Sequence, residues 1–286
     1  MRGLIDHGIA GRALLSNNQD TKNLSNEYKV YFGLGQSLNL IHSPEVFKVS
    51  LAGIRLGYYL MRSMDSRIMK RSFLDIGTGS GVHALLMCKL GNDNVTAVDI
   101  SEHSIEQARL HEHINLKKNI ISFFTSDLFN GIPERKFQTV VFNPPGWRTP
   151  SQELIQELMN IEHAGQMPVR AMFYGEDVIT RFLEDLPAYL SPKGKAIVGL
   201  NSLVGINDVL NRYSLKHNGC PPLTYRLVER HTFPIMYYSP YWQTISTYLK
   251  AEFEHFSNQD LAAFSVDRNG NIYWSYEIVE FFHRAS

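Results

Sequence analysis

Short apolar runs alternate with amphipathic stretches from residue 72 onward, and several of these stretches begin with a helix-capping residue. The apolar runs predict seven strands, at 73–76, 95–99, 120–125, 138–142, 195–200, 225–233 and 244–249. The remaining patterns predict a turn at 191–194 and helices at 82–90, 101–113, 178–190 and after Ser151. Units of this kind place helices on both faces of one sheet. We therefore predict a doubly wound, Rossmann-like α/β fold with a seven-stranded, mainly parallel sheet.

The two flanks of this region follow other patterns. A helical pattern at 45–60 comes after Gly33, Gly35 and Ser43–Pro44, so we predict an N-terminal helical extension. The turn Asp267–Gly270 and the stretch 272–279 predict a hairpin, which either extends the sheet or covers the site. We divide the chain into three parts: an N-terminal extension or lid at 1–70, a central domain at 71–250 and a C-terminal hairpin extension at 251–286.

Composition and charge narrow the classes of partner. The 286 residues are 44% hydrophobic and 20% charged, which excludes disorder for the bulk of the chain. Lys+Arg and Asp+Glu both number 28, so the chain lacks the excess positive charge that is typical of proteins that bind nucleic acid or an anionic membrane. Two cysteines, Cys88 and Cys220, cannot build a disulfide framework. We predict no signal peptide and no membrane span, because charges interrupt the N-terminal segment and the stretch 46–60, and we expect a cytoplasmic protein.

A glycine-rich turn, Gly77–Gly81, follows the first predicted strand. Glycines let the chain turn tightly and let a ligand approach the backbone, and the next helix points its N-terminus at that ligand. A carboxylate at Asp75, just before the turn, suits a cationic or amine-bearing ligand better than a pyrophosphate. The turn alone is a weak signal, and it gains weight from the motifs at the ends of the next strands.

Two further aspartates end the second and third predicted strands. Asp99 lies 20 residues beyond Gly79, where a carboxylate can accept hydrogen bonds from both ribose hydroxyls. Asp127 can accept a hydrogen bond from an adenine amino group while Leu128 and Phe129 pack on the base. The plainer interpretation of each is a helix-capping or turn aspartate, and the order of the motifs favours the nucleoside roles.

The fourth predicted strand ends on the segment Asn143–Trp147, with the sequence NPPGW. Two prolines stiffen the backbone and remove two N–H donors. The carbonyl oxygen of Pro144 and the side-chain oxygen of Asn143 can then point at one small volume. Two such acceptors would bind an amino group and direct its lone pair, whereas the plainer interpretation is a stiff turn after a strand.

Taken together, DIGTGSG, VTAVDIS, SDLF and VVFNPPGW resemble the motifs of class I S-adenosylmethionine-dependent methyltransferases. More narrowly they resemble the branch with an NPPY-type motif, which includes glutamine-amide methyltransferases of release factors and the adenine-N6 and guanine-N2 methyltransferases. The resemblance covers about 72–249 and implies that the domain at 71–250 binds S-adenosyl-L-methionine. In the family an aromatic residue directly follows the prolines, whereas here Gly146 has that place and Trp147 comes one residue later.

The resemblance also implies a role for each matching position. The methionine part would be held by Asp75, Gly77, Thr78, Gly79 and Gly81, the ribose by Asp99 with Ile100 beside it, and the adenine by Asp127 and Leu128. The acceptor nitrogen would be held next to the cofactor by Asn143 and Pro144, and a planar acceptor could stack on Trp147. The sulfonium is already activated, so the protein chiefly supplies proximity and alignment. We predict no metal, because His111 and His113 would face different sides of their helix.

Substrate contacts are the least defined part of the prediction. Asn201 ends the fifth strand, on the ligand side of a doubly wound sheet, and therefore ranks first. The other predicted substrate-binding residues are Tyr31, Trp147 and Tyr174, and the wider set of wall candidates adds Phe32, Arg148, Tyr237, Tyr238, Tyr241 and Trp242. An ordinary aromatic core is the plainer interpretation of these side chains.

The predicted function is methyl transfer from S-adenosylmethionine to a nitrogen of a small molecule or a peptide side chain. A base of RNA or DNA is the alternative acceptor, which the zero net charge disfavours. A second alternative is a class I fold that uses the cofactor for a non-methyl transfer or a cyclisation. A third is a non-catalytic partner that only binds ligand, against which Asp75, Asp99 and Asn143 argue.

Overall fold

The structure is a computed structural model that describes residues 9–10, 27–63, 70–161, 169–235 and 245–284. The chain divides into two compact units, Met1–Phe142 and Asn143–Ser286. The division into 1–70, 71–250 and 251–286 stays a prediction.

The first unit combines a small antiparallel sheet with a parallel α/β region. Its elements are, in chain order, β1 (Ile9–Ala10), β2 (Glu27–Gly33), β3 (Gln36–Ile41), α1 (Leu51–Ser63), β4 (Phe73–Ile76), α2 (Val82–Lys89), β5 (Val95–Asp99), α3 (Glu102–Leu116), β6 (Ser122–Thr125) and β7 (Phe137–Phe142). The first three strands form the antiparallel sheet in the order β1–β2–β3. The other four are parallel, with β4 between β7 and β5, and β6 beyond β5.

The parallel strands form where the sequence predicts them. All four residues of β4 are buried, as expected for a central strand with both faces covered. Ser101 caps α3, since its hydroxyl accepts a hydrogen bond from the Ser104 amide at 3.3 Å. The predicted fold class, α/β with mainly parallel central strands, is confirmed.

The N-terminal extension is only partly helical. A β-hairpin, β2 and β3, precedes the helix, and the two glycines of its turn, Gly33 and Gly35, have φ values of 102° and 78°. The helix α1 begins at Leu51 rather than at residue 45, because Ser50 provides the cap. The Ser50 hydroxyl accepts from the Gly53 amide at 3.0 Å, and its carbonyl accepts from the Ile54 amide.

Fully buried His111 joins this hairpin to the glycine turn. The backbone amide of Ile41 donates to His111 Nε2 at 2.9 Å, so the ring is neutral and carries its proton on Nδ1. The Nδ1–H group then donates to the Ser80 carbonyl at 2.8 Å. Burial lowers the pKa of His111, and the attraction of the Ser80 and Ile41 carbonyl oxygens for the protonated ring offsets only part of that effect.

We expect His111 to make the first unit less stable at acid pH. Its pKa is lower folded than unfolded, so the unfolded chain binds more protons near and below pH 6.5. The stabilisation is therefore complete above about pH 6.5 and decreases as the pH falls towards the folded-state pKa. Urea unfolding of wild type and His111→Gln between neutral and acid pH measures this contribution. Equal pH slopes for the two proteins would contradict it.

The second unit is built around antiparallel strands. Its elements are α4 (Gln152–Ile161), a 3₁₀ turn (Val169–Met172), α5 (Gly175–Tyr189), β8 (Leu190–Asn201), a second 3₁₀ turn (Ser202–Val204), α6 (Ile206–Lys216), β9 (Leu223–Pro234), α7 (Ser246–Ser257), β10 (Phe264–Val266) and β11 (Ile272–His283). The long strand β11 pairs with β8 along one edge and with β9 along the other. It also forms the predicted hairpin with β10 across the turn at 267–271. The C-terminal hairpin thus extends a sheet of this unit.

Three details of the prediction are wrong in this unit. The stretch predicted as a strand at 244–249 is helical from Ser246, because the buried pair Leu249 and Phe253 continues a helical spacing beyond it. The predicted turn at 191–194 lies inside β8, ahead of the segment that pairs with β11, where a proline is tolerated. The described residues after 70 contain eight strands rather than seven, because six of the predicted strands are joined by the two strands of the C-terminal hairpin, β10 and β11.

Candidate functional site

Asp75 stabilises the glycine turn through hydrogen bonds to its buried carboxylate. Its carboxylate is 1% exposed, and Oδ2 accepts hydrogen bonds from the Thr78 hydroxyl at 2.6 Å and from the Ala84 amide at 3.1 Å. The three glycines of the turn, Gly77, Gly79 and Gly81, have φ values of 61°, 53° and 83°, a region that side chains disfavour. Asp75 therefore fixes the shape of the turn, and its predicted contact with the cofactor stays a prediction.

His83 is a buried neighbour of Asp75 that the sequence interpretation missed. Its Nδ1 lies 3.8 Å from Asp75 Oδ1, and its Nε2 is 2.8 Å from the carbonyl oxygen of Gly53 in α1. Burial lowers the pKa of His83, but its hydrogen bond and attraction to Asp75, with the Gly53 bond, outweigh burial and leave that pKa raised. The pair therefore fixes α1 and α2 to the strand end that carries the turn.

Asp99 lies at the end of β5 and links the glycine turn to the next loop. Its Oδ2 accepts from the Gly79 amide at 2.8 Å, and its Oδ1 accepts from the Ser101 amide at 2.9 Å. Burial raises the pKa of Asp99, against the hydrogen bonds that lower it. Each oxygen keeps a further lone pair for a ligand hydroxyl. The neighbouring Ile100 side chain is 71% exposed, which leaves an apolar surface beside this carboxylate.

The loop after β6 is shaped around Ser126. The Ser126 amide donates to the Asp99 carbonyl at 2.8 Å, and its hydroxyl donates to the Leu128 carbonyl at 2.8 Å. Leu128 has a φ of 51°, and its side chain is buried. Strands β4, β5 and β6 are parallel neighbours, so Asp75, Asp99 and Asp127 follow the same edge of the sheet. The first unit thus brings the predicted cofactor residues together.

This edge can accept a nucleoside-bearing ligand. A Cβ at Gly79 would have no heavy atom within 4 Å, so the backbone of the turn is open to close approach. The exposed Ile100 side chain offers an apolar surface on which a base can pack, and the adjacent Asp99 carboxylate can accept hydrogen bonds from the ribose hydroxyls. These two observations fit S-adenosylmethionine to the residues present.

Asn143 follows β7 directly and is hydrogen-bonded within the second unit. The Tyr276 hydroxyl donates to Asn143 Oδ1 at 2.8 Å. Tyr276 belongs to β11 and is 1% exposed. The sequence interpretation missed this residue, although Gly199 gave a signal: a glycine inside a buried strand often marks a close approach by another group. In this structure the Tyr276 ring fills that space.

A side chain on the residue after the two prolines would require Asn201 to move. A Cβ at Gly146 would lie 2.5 Å from Asn201 Nδ2. Trp147 is 3% exposed and packs edge-on against Phe173 and Phe253, with ring centroids 5.2 Å and 5.5 Å away. Trp147 thus packs within the second unit, and its role as a stacking partner of the acceptor stays a prediction.

Asn201 ends β8 beside this turn. Its Oδ1 accepts from the Leu203 amide at 2.9 Å and so caps the short 3₁₀ turn that follows. This bond fixes the amide with its Nδ2 donor on the Gly146 side. The structure thus brings Asn201, a predicted substrate-binding residue, next to the NPPGW segment.

The start of α5 holds the NPPGW segment from the other side. The Gly175 amide donates to the Trp147 carbonyl at 2.8 Å, and the Glu176 carboxylate accepts from the Thr149 amide at 2.9 Å and 3.1 Å. Arg148, a predicted wall residue, is 5% exposed and forms an ion pair with Asp208 at 2.9 Å. Its interactions are therefore structural.

The remaining wall candidates have separate places. Tyr174, just before α5, is 41% exposed and has a left-handed φ of 64°, which is unusual for a tyrosine. In the first unit, the Tyr31 hydroxyl accepts from the Gly35 amide at 3.3 Å across the hairpin turn, and Phe32 is fully buried. Four candidates, Tyr237, Tyr238, Tyr241 and Trp242, lie outside the described residues.

Comparison with known proteins finds similarity to methyltransferases. Residues 38–166 match a family model described as the methyltransferase small domain. A protein of Methanocaldococcus jannaschii, named provisionally as a protein N5-glutamine methyltransferase, is 29% identical over 177 residues, which are 62% of this chain and 83% of that protein. The matched region is a methyltransferase small domain, and the chain is similar to protein N5-glutamine methyltransferases.

Two further comparisons define how far this likeness extends. The release factor glutamine methyltransferase of Rhodopirellula baltica is 34% identical over 144 residues, 48% of this methyltransferase and 47% of that relative. The match with it therefore spans about half of the relative's length. A provisionally named methyltransferase solved with S-adenosylhomocysteine has a TM-score of 0.53 at 12% identity, over 92% of this chain and 58% of that one. At this identity the structural likeness shows the fold alone.

The matches to methyltransferases confirm the predicted enzyme class and with it the cofactor, S-adenosylmethionine. The roles of individual residues stay predictions. Within the part of the chain that the structure describes, no group of His, Cys, Asp and Glu side chains could hold a metal ion. No helix among the described residues is both long and apolar enough to cross a membrane.

Proposed function

We propose that this methyltransferase transfers the methyl group to the side-chain amide nitrogen of a glutamine in a peptide or protein. The observation that carries the proposal is the Asn143 side chain, whose oxygen is held by Tyr276 at the point where the chain leaves β7. Within the first unit, the last residue of β7, Phe142, pairs with Ile76 of β4. Chain continuity thus brings Asn143 to the strand end that precedes the glycine turn.

The relatives support a glutamine acceptor. The Methanocaldococcus jannaschii and Rhodopirellula baltica proteins are both named for methylation of glutamine, one in a protein and one in a release factor. The net charge of zero also favours a peptide over a nucleic acid. Because Gly146 follows the two prolines, a flat base has no aromatic side chain to stack on at that position.

In the proposed mechanism the protein orients the acceptor. S-adenosylmethionine supplies a methyl group that is already activated by the sulfonium. Asn143 Oδ1 and the Pro144 carbonyl accept hydrogen bonds from the two amide N–H groups of the glutamine, which directs the nitrogen lone pair at the methyl carbon. As positive charge develops on that nitrogen, the same two oxygens stabilise it. A proton leaves the nitrogen for solvent after the transfer.

Asn201 gives this site a donor for the other end of the carboxamide. Its oxygen is engaged with Leu203, so its Nδ2 group can donate to the glutamine carbonyl oxygen. A simple amine or an alcohol lacks that carbonyl and would leave the donor unpaired. Two acceptors and one donor in one place match the pattern of a primary amide.

The test uses a synthetic peptide with one glutamine and an intact bacterial release factor, each with labelled S-adenosylmethionine. We expect label in both, a mass gain of one methylene on glutamine, and S-adenosylhomocysteine as the second product. Matched peptides with asparagine or glutamate in place of glutamine should remain unlabelled. Label only in RNA would transfer the proposal to a nucleic-acid acceptor, and methylthioadenosine as the product would exclude methyl transfer.

A further inference from the structure

We propose that Tyr276 is a positioning residue that holds the Asn143 carboxamide with its oxygen ready for the methyl acceptor. The inference rests on the proposed function, since it assigns Tyr276 a task in the same site. It adds a residue from β11, a strand of the C-terminal hairpin that carries no family motif in the sequence.

The hydrogen bond selects one of the two orientations of the amide. The Tyr276 hydroxyl is almost completely buried and donates to Asn143 Oδ1 at 2.8 Å. If the Asn143 amide turned over, its NH₂ group would face the phenol oxygen and the buried phenol proton would lose its acceptor. An unpaired buried donor is costly, so the observed orientation is favoured. Burial also raises the pKa of Tyr276, which keeps the hydroxyl protonated as a donor.

The backbone of β8 is adapted to this contact. Tyr276 pairs with Asn201 across the two strands, and its ring extends along β8 over Gly199. A Cβ at Gly199 would lie 1.8 Å from the phenol oxygen and 2.4 Å from Cζ. Only glycine leaves the space through which the hydroxyl reaches Asn143.

The contact leaves the acceptor function of Asn143 intact. A carboxamide oxygen has two lone pairs, and Tyr276 uses one of them. The other remains for an N–H group of the substrate. Because the orientation is set before the substrate arrives, no reorganisation is needed as charge develops on the acceptor nitrogen.

Tyr276→Phe tests the proposal, because it keeps the ring over Gly199 and removes only the hydroxyl. We expect kcat on the one-glutamine peptide to fall about tenfold, less than the loss of a group that contacts the reacting atoms directly. KM for S-adenosylmethionine should stay unchanged. The matched control is Tyr213→Phe in α6, a tyrosine that is also 1% exposed and lies outside the NPPGW site. It should retain wild-type kcat, and a wild-type kcat in Tyr276→Phe would overturn the proposal.

A second measurement needs no substrate. With ¹⁵N-labelled asparagine, the side-chain NH₂ signals of Asn143 can be assigned by their loss in Asn143→Asp. We expect these signals to shift or broaden in Tyr276→Phe and to stay unchanged in Tyr213→Phe. Unchanged Asn143 signals in Tyr276→Phe overturn the role of Tyr276, even if kcat falls. If the signals shift but wild type leaves the glutamine peptide unmodified, the acceptor assignment fails and the positioning role stands.

Discussion

Asn143→Ala is expected to lower kcat about 100- to 1000-fold, the range seen when one group that stabilises developing charge is removed. Alanine removes the oxygen that accepts from the acceptor nitrogen and leaves the Tyr276 hydroxyl without its partner. The cofactor residues of the first unit are untouched, so the affinity for S-adenosylmethionine should remain close to that of wild type. Single-turnover kinetics on the one-glutamine peptide and calorimetric titration with the cofactor measure the two effects separately.

The matched control for this variant is Asn211→Ala. Asn211 is an exposed asparagine of α6, so its loss should change neither kcat nor cofactor binding. Full turnover by Asn143→Ala would remove the basis of the site assignment. A loss of cofactor affinity equal to the loss of turnover would instead show that Asn143 acts on the fold of the cofactor site.

Asp99→Ala is expected to weaken binding of S-adenosylmethionine about 100-fold, or about 3 kcal/mol. Two contributions add here. The variant loses the carboxylate proposed to bind the ribose hydroxyls, and hydrogen bonds to a charged group are the stronger kind. It also removes the oxygen that accepts a hydrogen bond from the Gly79 amide in the glycine turn. The dissociation constants of S-adenosylmethionine and S-adenosylhomocysteine should rise together, because both carry the same ribose.

Asp93→Ala serves as the control for this variant. Asp93 is exposed in the turn before β5, so its removal should leave cofactor affinity unchanged. Methionine competes for the other end of the cofactor site and offers a further check. Its weak binding should be less affected than that of the complete cofactor. An unchanged dissociation constant for S-adenosylmethionine in Asp99→Ala would refute the ribose assignment.

The cofactor half of the site was predictable because it depends on local order along the chain. Each parallel strand ends at the same edge of the sheet, so Asp75 and Asp99 had to come together once β4 and β5 were recognised. The glycine turn between them needed no knowledge of distant residues. Hydrophobic periodicity, helix caps and turn residues are therefore sufficient to predict the cofactor half of the site.

The acceptor half depends on contacts that no local pattern encodes. Tyr276 and Asn143 are 133 residues apart and meet through the pairing of β11 with β8. The sequence favoured Trp147 as the aromatic residue of the site, yet packing against Phe173 and Phe253 buries it. The misassigned helix at 246–257 has the same cause, since a short apolar run fits either a strand or one face of a helix.

The place of Tyr276 in the chain sets an order on the assembly of this enzyme during synthesis. The segments that carry Asp75, Asp99 and Asp127 leave the ribosome before β11 does. A nascent chain that stops before Tyr276 has every cofactor residue named above and lacks the hydroxyl that orients Asn143. Such a chain lacks the contact that orients Asn143 even when every residue of the first unit has been made, so the proposed methyl transfer depends on a strand synthesised after the cofactor residues.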